Sequence, residues 1–489
     1  MLPRFALAAL LAIPLASAQP GAFGIGGTSL EVGTAVDIAD DGAVALGARH
    51  FSPFDIDPGP GETIIPAAGF EDGMVAVYEP SGALRFAVPL VSGGSDDVYD
   101  VAFTPDGGVA VIGHTGDVMD LDPGPGETLV EAPGLEVRIF VAVYDRDGSL
   151  RYGFGLEGLD FVQEGAIAVD DAGNAIIAAT LNGTTDFDPT DGADVRTGTN
   201  DAVVASYGTD GSLRWLNVLE GDTSRSRGLD VAGSRMSMAA TFSGTVDLDP
   251  GSGVSEIGSA GALDVLVVSG RTDGAVDAGF ALGGRGADIA FDVAVDDTGR
   301  TAVLGRIQSP TDLDPGPGEV VIGTDGGGLL GAPFVGLYDA DGTFRFAANL
   351  GALAVSGIAI EDGRAVYSGS LPSGDYDIDP SAGTTTLTTD AGFDGVVVAL
   401  EADGSLRWYQ SVVGTGGGDN ALAVAVNAGG TVATTGRFTR SVTLGPNLAL
   451  SSNGGDDIFV AAYSAGGTIV GGGPTAADPD LEASRPSIT

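Results

Sequence analysis

Residues Phe54 to Glu62 read FDIDPGPGE, and versions of this stretch recur along the chain. The first aspartate of each copy falls at position 55, 120, 186, 247, 312 or 377, so successive copies lie 65, 66, 61, 65 and 65 residues apart. A seventh, degraded copy, TLGP, occupies Thr443 to Pro446. A period sustained in this way is typical of repeat architectures, in which each unit packs mainly against its neighbours.

Each period also contains four short apolar runs. In the fifth period they cover 291–295, 301–304, 334–338 and 344–350, and Asp-Gly or Gly turns separate them. Runs of this length with β-favouring residues predict strands. Beyond the first 18 residues, no stretch keeps the 3.6-residue apolar period of a helix. The sequence therefore predicts an all-β fold, a seven-bladed β-propeller of four-stranded antiparallel blades with a repeat of about 65 residues.

The segment Ala22 to Gly27, AFGIGG, resembles Gly279 to Gly284, GFALGG, which is a fourth strand. It precedes the first complete unit, whereas the seventh unit ends weakly. We expect this segment to supply the outer strand of the last blade, which closes the ring and covers a sheet edge.

The chain divides into three predicted regions. Residues 1–18 form a signal peptide, with Arg4, an apolar run from Phe5 to Leu15 and a small-residue cleavage site at Ala16-Ser17-Ala18. Residues 19–470 form the propeller, and the Gly- and Pro-rich residues 471–489 form a flexible tail. We expect a secreted protein, extracellular or periplasmic after cleavage.

The composition excludes several function classes. The net charge is −46, and all 21 basic residues are Arg. Such a surface repels nucleic acid and anionic membranes, so we expect neither nucleic-acid binding nor membrane insertion. It attracts cations, although adaptation to a salty habitat gives the same composition. The absence of Cys excludes disulfides, thiol catalysis and thiolate metal sites. We expect a monomer.

Two phrases of the fifth period, DVAVDDTGRTAVLG (292–305) and PFVGLYDADGTFRF (333–346), resemble the SBBP repeat of secreted bacterial β-propellers. The similarity is to the variant with a DFDPG element before the third strand, and it covers roughly Phe23 to Val470. The chain departs from the family where Gly-Asn often precedes the second strand, because only Gly173-Asn174 keeps that pair. The resemblance implies a propeller fold and export, and no defined reaction, ligand or catalytic residue.

The repeated aspartates are the candidate site residues. Two carboxylates two residues apart in a Gly-rich turn are suited to calcium, which needs about six to eight oxygen ligands. The alternative is structural, with the carboxylates accepting turn amides while Pro fixes the corner. The candidate calcium ligands are Asp55, Asp57, Asp120, Asp122, Asp186, Asp188, Asp247, Asp249, Asp312, Asp314, Asp377 and Asp379.

A second structural alternative gives the aspartates an Arg partner. An Arg recurs in one register of the fourth strand and could form a bidentate pair with an Asp-Pro loop. The fourth unit has Val276 at that place although it keeps both aspartates, which does not fit the pairing. The arginines are Arg85, Arg151, Arg214, Arg345 and Arg407.

Catalytic readings find less support. A glycosidase needs one pair of carboxylates with different pKa values, whereas six near-equivalent pairs single out none. His50 and His114 follow second strands of neighbouring units, where they are either a metal or acid–base pair or two separate, partly exposed loop residues.

We therefore expect a binding or structural module for an extracellular protein or polysaccharide, with no cofactor other than the calcium considered above. The alternative is an enzyme, a polysaccharide hydrolase or lyase on a propeller scaffold. A single cluster of acidic and aromatic residues at one mouth of the channel would favour the enzyme, and evenly repeated features favour the module.

Overall fold

The computed structural model describes residues 21–132, 137–159, 165–323, 331–414, 417–444 and 448–470. The predicted signal peptide and tail, and the Gly-Pro of the degraded seventh element, lie outside these residues. Within them the chain is all-β, a propeller-like arrangement of antiparallel sheets.

The strands are numbered along the chain. The first half contains β1 (Ala22–Ile25), β2 (Glu31–Ile38), β3 (Val44–His50), β4 (Phe54–Asp55), β5 (Ile64–Ile65), β6 (Asp72–Tyr78), β7 (Leu84–Leu90), β8 (Asp97–Phe103), β9 (Val109–Thr115), β10 (Met119–Asp120), β11 (Leu129–Val130), β12 (Arg138–Tyr144), β13 (Leu150–Leu156), β14 (Ala166–Val169), β15 (Ala175–Asp186), β16 (Val195–Tyr207), β17 (Leu213–Leu219) and β18 (Gly221–Ala232). The second half contains β19 (Arg235–Asp247), β20 (Glu256–Gly258), β21 (Asp264–Arg271), β22 (Val276–Leu282), β23 (Ile289–Val295), β24 (Thr301–Ile307), β25 (Thr311–Asp312), β26 (Val321–Ile322), β27 (Ala332–Tyr338), β28 (Phe344–Asn349), β29 (Ala354–Glu361), β30 (Arg364–Asp377), β31 (Thr386–Leu400), β32 (Leu406–Gly414), β33 (Gly417–Gly418), β34 (Asn420–Val426), β35 (Val432–Leu444) and β36 (Leu448–Tyr463).

The strands associate in sets of four, which we call units. In chain order the units are β2-β3-β6-β7, β8-β9-β12-β13, β14-β15-β16-β17, β18-β19-β21-β22, β23-β24-β27-β28, β29-β30-β31-β32 and β34-β35-β36-β1. The Asp-x-Asp-Pro elements project between the second and third strands. Three of them form separate two-stranded ladders, β4-β5, β10-β11 and β25-β26.

Not every predicted blade is a separate sheet. Residues Val412 to Gly414 at the end of β32 also pair with Leu444 to Val442 of β35, so the last two units form one nine-stranded sheet. Long second strands are not confined to this unit, since β15, β19 and β30 contain 12, 13 and 14 residues. What is particular here is that the end of β35 pairs with β32 of the preceding unit.

The N-terminal strand closes the ring, as predicted from its sequence. Ala22 to Ile25 pair with Ala461 to Ile458 in β36, so β1 is the outer strand of the last unit. The Phe23 ring lies 4.8 Å from that of Tyr78 in the first unit, the same distance that separates Phe280 and Tyr338 across another seam.

Core residues fill the seams between units. Successive residues of a strand point to opposite faces of its sheet, and here both sets are rich in Val, Ile, Leu and Ala. Both faces of a sheet are therefore apolar, and each packs against a neighbouring unit. Each of seven hydrophobic clusters combines two consecutive units, and the one containing Ile25, Leu46 and Val460 joins the last unit to the first.

Fourth-strand aromatics reinforce these seams beneath the Asp-Gly turns of the next unit. Trp215 donates its indole N–H to the Thr272 carbonyl at 3.0 Å. A Cβ on Gly274 would lie 2.9 Å from the same indole, and its φ is +88°. Only glycine satisfies both conditions without strain, which explains the recurring Asp-Gly.

Candidate functional site

Each Asp-x-Asp-Pro element is a hairpin that its own aspartates hold closed. In the copy at Thr311–Asp312, the Asp312 carboxylate accepts hydrogen bonds from the backbone N–H groups of Asp314 at 3.0 Å and Val320 at 2.7 Å. Asp314 accepts one from Gly316 N–H at 2.8 Å. The first carboxylate therefore joins the two ends of the loop, and the second caps the turn between them.

All six copies make these same three bonds. The first aspartate accepts at 3.0–3.2 Å from the residue two positions on, and at 2.7–2.9 Å from the residue eight positions on. The second accepts at 2.7–3.0 Å from the residue two positions on. The first aspartates are Asp55, Asp120, Asp186, Asp247, Asp312 and Asp377, and the second are Asp57, Asp122, Asp188, Asp249, Asp314 and Asp379.

A glycine packs against the other oxygen of the second aspartate. A Cβ on Gly318 would lie 1.9 Å from Asp314 Oδ2, and the equivalent distance in the other copies is 1.9–2.2 Å. A side chain there would displace the aspartate carboxylate, which caps the turn through its other oxygen. This explains a DPxxG pattern common to all six copies, whose glycines are Gly61, Gly126, Gly192, Gly253, Gly318 and Gly383.

The residue between the two aspartates anchors the hairpin in the core. It is apolar in every copy and buried, with at most 9% of its surface exposed: Ile56, Leu121, Phe187, Leu248, Leu313 and Ile378. In four copies its carbonyl accepts a hydrogen bond from a buried tyrosine hydroxyl at the end of the third strand, at 3.0–3.1 Å. The donors are Tyr78, Tyr144, Tyr207 and Tyr338.

These contacts account for the repeated aspartates without a cation. Across the described ranges, no group of three or more His, Cys, Asp or Glu side chains is arranged to hold a metal ion. Calcium binding by the twelve aspartates is the alternative that the sequence offered, and melting in calcium and in chelator distinguishes it from this structural role.

The fourth-strand arginines do not contact these aspartates, so the predicted clamp is wrong. Arg85 pairs with Glu79 at 2.7 Å, and Arg345 pairs with Asp339 at 2.8 Å. Both partners open the turn between the third and fourth strands, while the Asp-x-Asp-Pro hairpin leaves the opposite end of the third strand. Strand alternation predicts the face that an Arg occupies but not which end of the strand its side chain reaches.

The histidines are buried, contrary to the expectation of partly exposed loop residues. His50 ends β3 with 0% of its surface exposed, and His114 lies within β9 with 3% exposed. Burial lowers the pKa of His50 and lowers that of His114 to about 4, so both are neutral at pH 7. His114 packs against the Tyr99 ring at 5.3 Å.

Four aspartates that the sequence analysis did not single out lie on the central channel. The Asp292 carboxylate accepts the N–H of its neighbour Val293 at 2.8 Å and, from the next unit, the N–H of Ile358 at 2.9 Å. The other three make the same pair of bonds at 2.7–2.9 Å, and they are Asp37, Asp100 and Asp230. Each carboxylate therefore ties two consecutive units together. The available signal was an Asp inside an otherwise apolar first strand, as in FDVAV.

Burial is the largest influence on the pKa of these four carboxyl groups, and it raises each of them. It raises the pKa of Asp230 to about 6 and that of Asp292 to about 7, although each carboxylate accepts two backbone hydrogen bonds that act in the opposite direction. Burial also raises the pKa of Asp37 and Asp100. These four groups line a channel cavity of about 260 Å³.

A second cavity, of about 350 Å³, lies along the channel toward the N-terminal ends of the first strands. Asp100 and Asp292 also line it, and the rest of its wall differs from unit to unit, with Tyr99, Arg227 and Phe291 as its largest side chains.

Several solved structures are similar to this chain. The chain is similar to the β-propeller domain of the Trilobed protease from Pyrococcus furiosus, with 8% identity, a TM-score of 0.40, and coverage of 86% of this chain and 96% of that one. It is also similar to the C-terminal WD40 domain of Sif2, with 11% identity, a TM-score of 0.39, and coverage of 90% and 98%.

A third neighbour, apo AztD from Citrobacter koseri, is 11% identical with a TM-score of 0.35, and the match covers 80% of this chain and 95% of that one. No family model matches the chain, and no curated protein does. Within the described residues, no helix is long and apolar enough to cross a membrane.

Proposed function

We propose that this chain is a secreted seven-bladed β-propeller of the SBBP-repeat type that serves as a binding or structural module for an extracellular protein or polysaccharide. The count of seven is supported by seven hydrophobic clusters between consecutive units, and it treats the nine-stranded sheet as two blades joined at one edge. Export is supported by the N-terminal sequence.

One observation carries the binding role. The repeated aspartates accept hydrogen bonds from backbone N–H groups of their own hairpins. Residues that differ from unit to unit, among them Tyr99, Arg227 and Phe291, instead line one cavity of the channel. Propellers present a central channel with surrounding loops, and a ligand there contacts several blades at once.

A glycan array combined with pull-down from the surface of the producing organism tests this proposal. We expect the folded protein to retain a polysaccharide or a surface protein that the heat-unfolded protein does not retain. Failure to retain either class at physiological salt would contradict the binding role.

The enzyme alternative rests on one cluster beside the first seam. Arg49 contacts Glu71 at 3.2 Å and Asp97 at 3.1 Å, and burial raises the pKa of Asp97 to about 7. A carboxyl group with this pKa is suited to general acid catalysis. Turnover of a polysaccharide that Asp97→Asn abolishes, with binding retained, would favour a hydrolase or lyase.

A further inference from the structure

The sixth unit lacks the tyrosine that lies below the hairpin in most other units. In five units the third strand ends in a buried tyrosine, and in four of these the hydroxyl bonds to the hairpin carbonyl. Leu400 takes this place in the sixth unit, where Tyr367 of the second strand carries the ring instead. The residues that pair like Tyr367 in the other units are Leu46, Val111, Ile177, Met238, Val303 and Thr434.

A cavity of about 280 Å³ lies below the sixth hairpin, in the seam between the fifth and sixth units. The fourth strand of the fifth unit has Ala348 where Phe280 of the fourth unit packs against a tyrosine at 4.8 Å, which leaves further space in this seam. An apolar cavity of about 150 Å³ holds benzene, so this one has room for an aromatic ring with a short side chain. Its apolar wall consists of Leu350, Leu353, Leu371, Ile378, Val396 and Val398.

The Tyr367 hydroxyl is a buried polar group on this cavity. Tyr367 is 2% exposed, and among the described residues none forms a hydrogen bond with its hydroxyl. Burial, together with the charge of Asp379, raises the pKa of Tyr367, so the phenol keeps its proton and can donate. Because a buried donor without a partner is unfavourable, the cavity is suited to a ligand that brings a hydrogen-bond acceptor.

The rim of the cavity is negatively charged. Asp375 and Asp377 are exposed, Asp379 is half-buried, and all three line the cavity. Within the described part of the chain, none of them forms an ion pair with an Arg. The half-buried Tyr376 ring lies on the same rim, and the face of such a ring attracts a cation. The rim therefore favours a positively charged group, whereas the wall below it favours an apolar one.

We propose that this cavity binds a small aromatic amine. The ring lies against the apolar wall, a hydroxyl on the ring accepts the hydrogen bond of Tyr367, and the ammonium group contacts the carboxylates of the rim. This binding site is separate from the channel, so it goes beyond the proposed function and does not depend on it.

Titration calorimetry on the folded protein tests the site with three probes: tyramine, phenethylamine, which lacks the ring hydroxyl, and tyrosol, which lacks the amine. We expect tyramine to bind at millimolar concentrations or below. Phenethylamine should bind about 3- to 10-fold less tightly, since it cannot accept from Tyr367. Tyrosol should also bind less tightly than tyramine at low salt, and the difference should narrow in high salt because salt screens the rim charges.

Tyr367→Phe keeps the ring and removes only the donor. It should weaken tyramine about 3- to 10-fold and leave phenethylamine unchanged. Tyr463→Phe is the matched control, because it removes a buried hydroxyl from another unit and should leave the binding of all three probes unchanged.

The double substitution Tyr367→Leu with Leu400→Tyr restores the arrangement of the first unit, in which Leu46 and Tyr78 occupy these places. The new tyrosine should fill the space below the hairpin, so we expect tyramine binding to be lost while Tm is kept or raised. If melting curves show that this variant does not fold, Tyr367→Phe and the three probes decide the question.

Absence of tyramine binding at millimolar concentrations would overturn the proposal, as would equal affinity for tyramine and tyrosol at low salt. Tyramine binding that persists in the folded double variant would also overturn it. Retention of a glycan or surface protein bears on the proposed function alone, so the two can fail separately.

Discussion

The tyrosine that anchors each hairpin allows a prediction with a matched control inside the same chain. Tyr338 is 1% exposed, and its hydroxyl donates to the carbonyl of Leu313, which is fully buried. Tyr338→Phe keeps the ring and removes only that donor. A buried carbonyl that loses its partner costs about 1–3 kcal/mol, so we expect a destabilisation of that size.

Tyr463 occupies the corresponding place in the last unit, where the Asp-x-Asp-Pro element is degraded. It is fully buried, and within the described residues its hydroxyl has no hydrogen-bond partner. Tyr463→Phe removes an unsatisfied polar group, so we expect it to be neutral or stabilising. The two substitutions differ only in whether the tyrosine hydroxyl donates a hydrogen bond to a hairpin carbonyl.

Urea denaturation and thermal melting measure the difference. An unfolding entropy of about 2.1 cal/mol/K per residue over roughly 450 residues gives about 1 kcal/mol/K, so Tyr338→Phe should lower Tm by about 1–3 °C. Equal effects of the two substitutions would refute the idea that the tyrosine holds the hairpin through this bond.

Three further outcomes follow from the contacts described. Gly318→Ala places a Cβ 1.9 Å from Asp314 Oδ2 and should destabilise the protein. Gly466 is exposed, and a Cβ there would lie 3.9 Å from the nearest atom, so Gly466→Ala should leave stability unchanged. The urea midpoints of the two variants measure the difference. Deleting residues 22–27 exposes the edge of the last sheet and should lower Tm, and an unchanged Tm would mean that β1 does not close the ring. Folding raises the pKa of Asp292 from 3.8 to about 7, so protonation of this carboxyl favours the folded state. That contribution to stability is complete below about pH 4 and is lost as the pH rises through 7. Tm should therefore rise from pH 8 to pH 5, and Asp292→Asn should flatten that rise.

The sequence was sufficient for the parts of the fold that repeat. The period, the strand runs and the Asp-Gly turns predicted an all-β propeller, and the likeness of Ala22–Gly27 to Gly279–Gly284 predicted the pairing of β1 with β36. These inferences hold because local propensity and a repeated pattern agree at every unit. The merging of the last two units was not predictable, since it depends on pairing between β32 and β35 that the apolar pattern of neither strand indicates.

The site was less accessible to sequence reasoning. Asp-x-Asp-Pro drew attention because it repeats, yet repetition here reflects a loop that each unit must close. The sequence predicted the strand register of Arg345 but not the direction in which its side chain extends. Its partner is Asp339 in the adjacent turn. Asp292 carries no motif, because its role depends on the neighbouring unit, which brings the Ile358 N–H within 2.9 Å of its carboxylate.

Melting the protein in calcium and in chelator, at constant ionic strength, tests most directly the claim that the six Asp-x-Asp-Pro hairpins are held by their own backbone hydrogen bonds. A ligand that binds only the folded state raises its stability by RT ln(1 + [L]/Kd), so calcium bound at any of the twelve aspartates would raise Tm with the logarithm of its concentration once that concentration exceeds Kd. We predict equal Tm values in calcium, in chelator and in a sodium salt of matched ionic strength. A rise specific to calcium, absent from a variant that carries Asp312→Asn and Asp314→Asn, would contradict this account and establish the hairpins as cation sites.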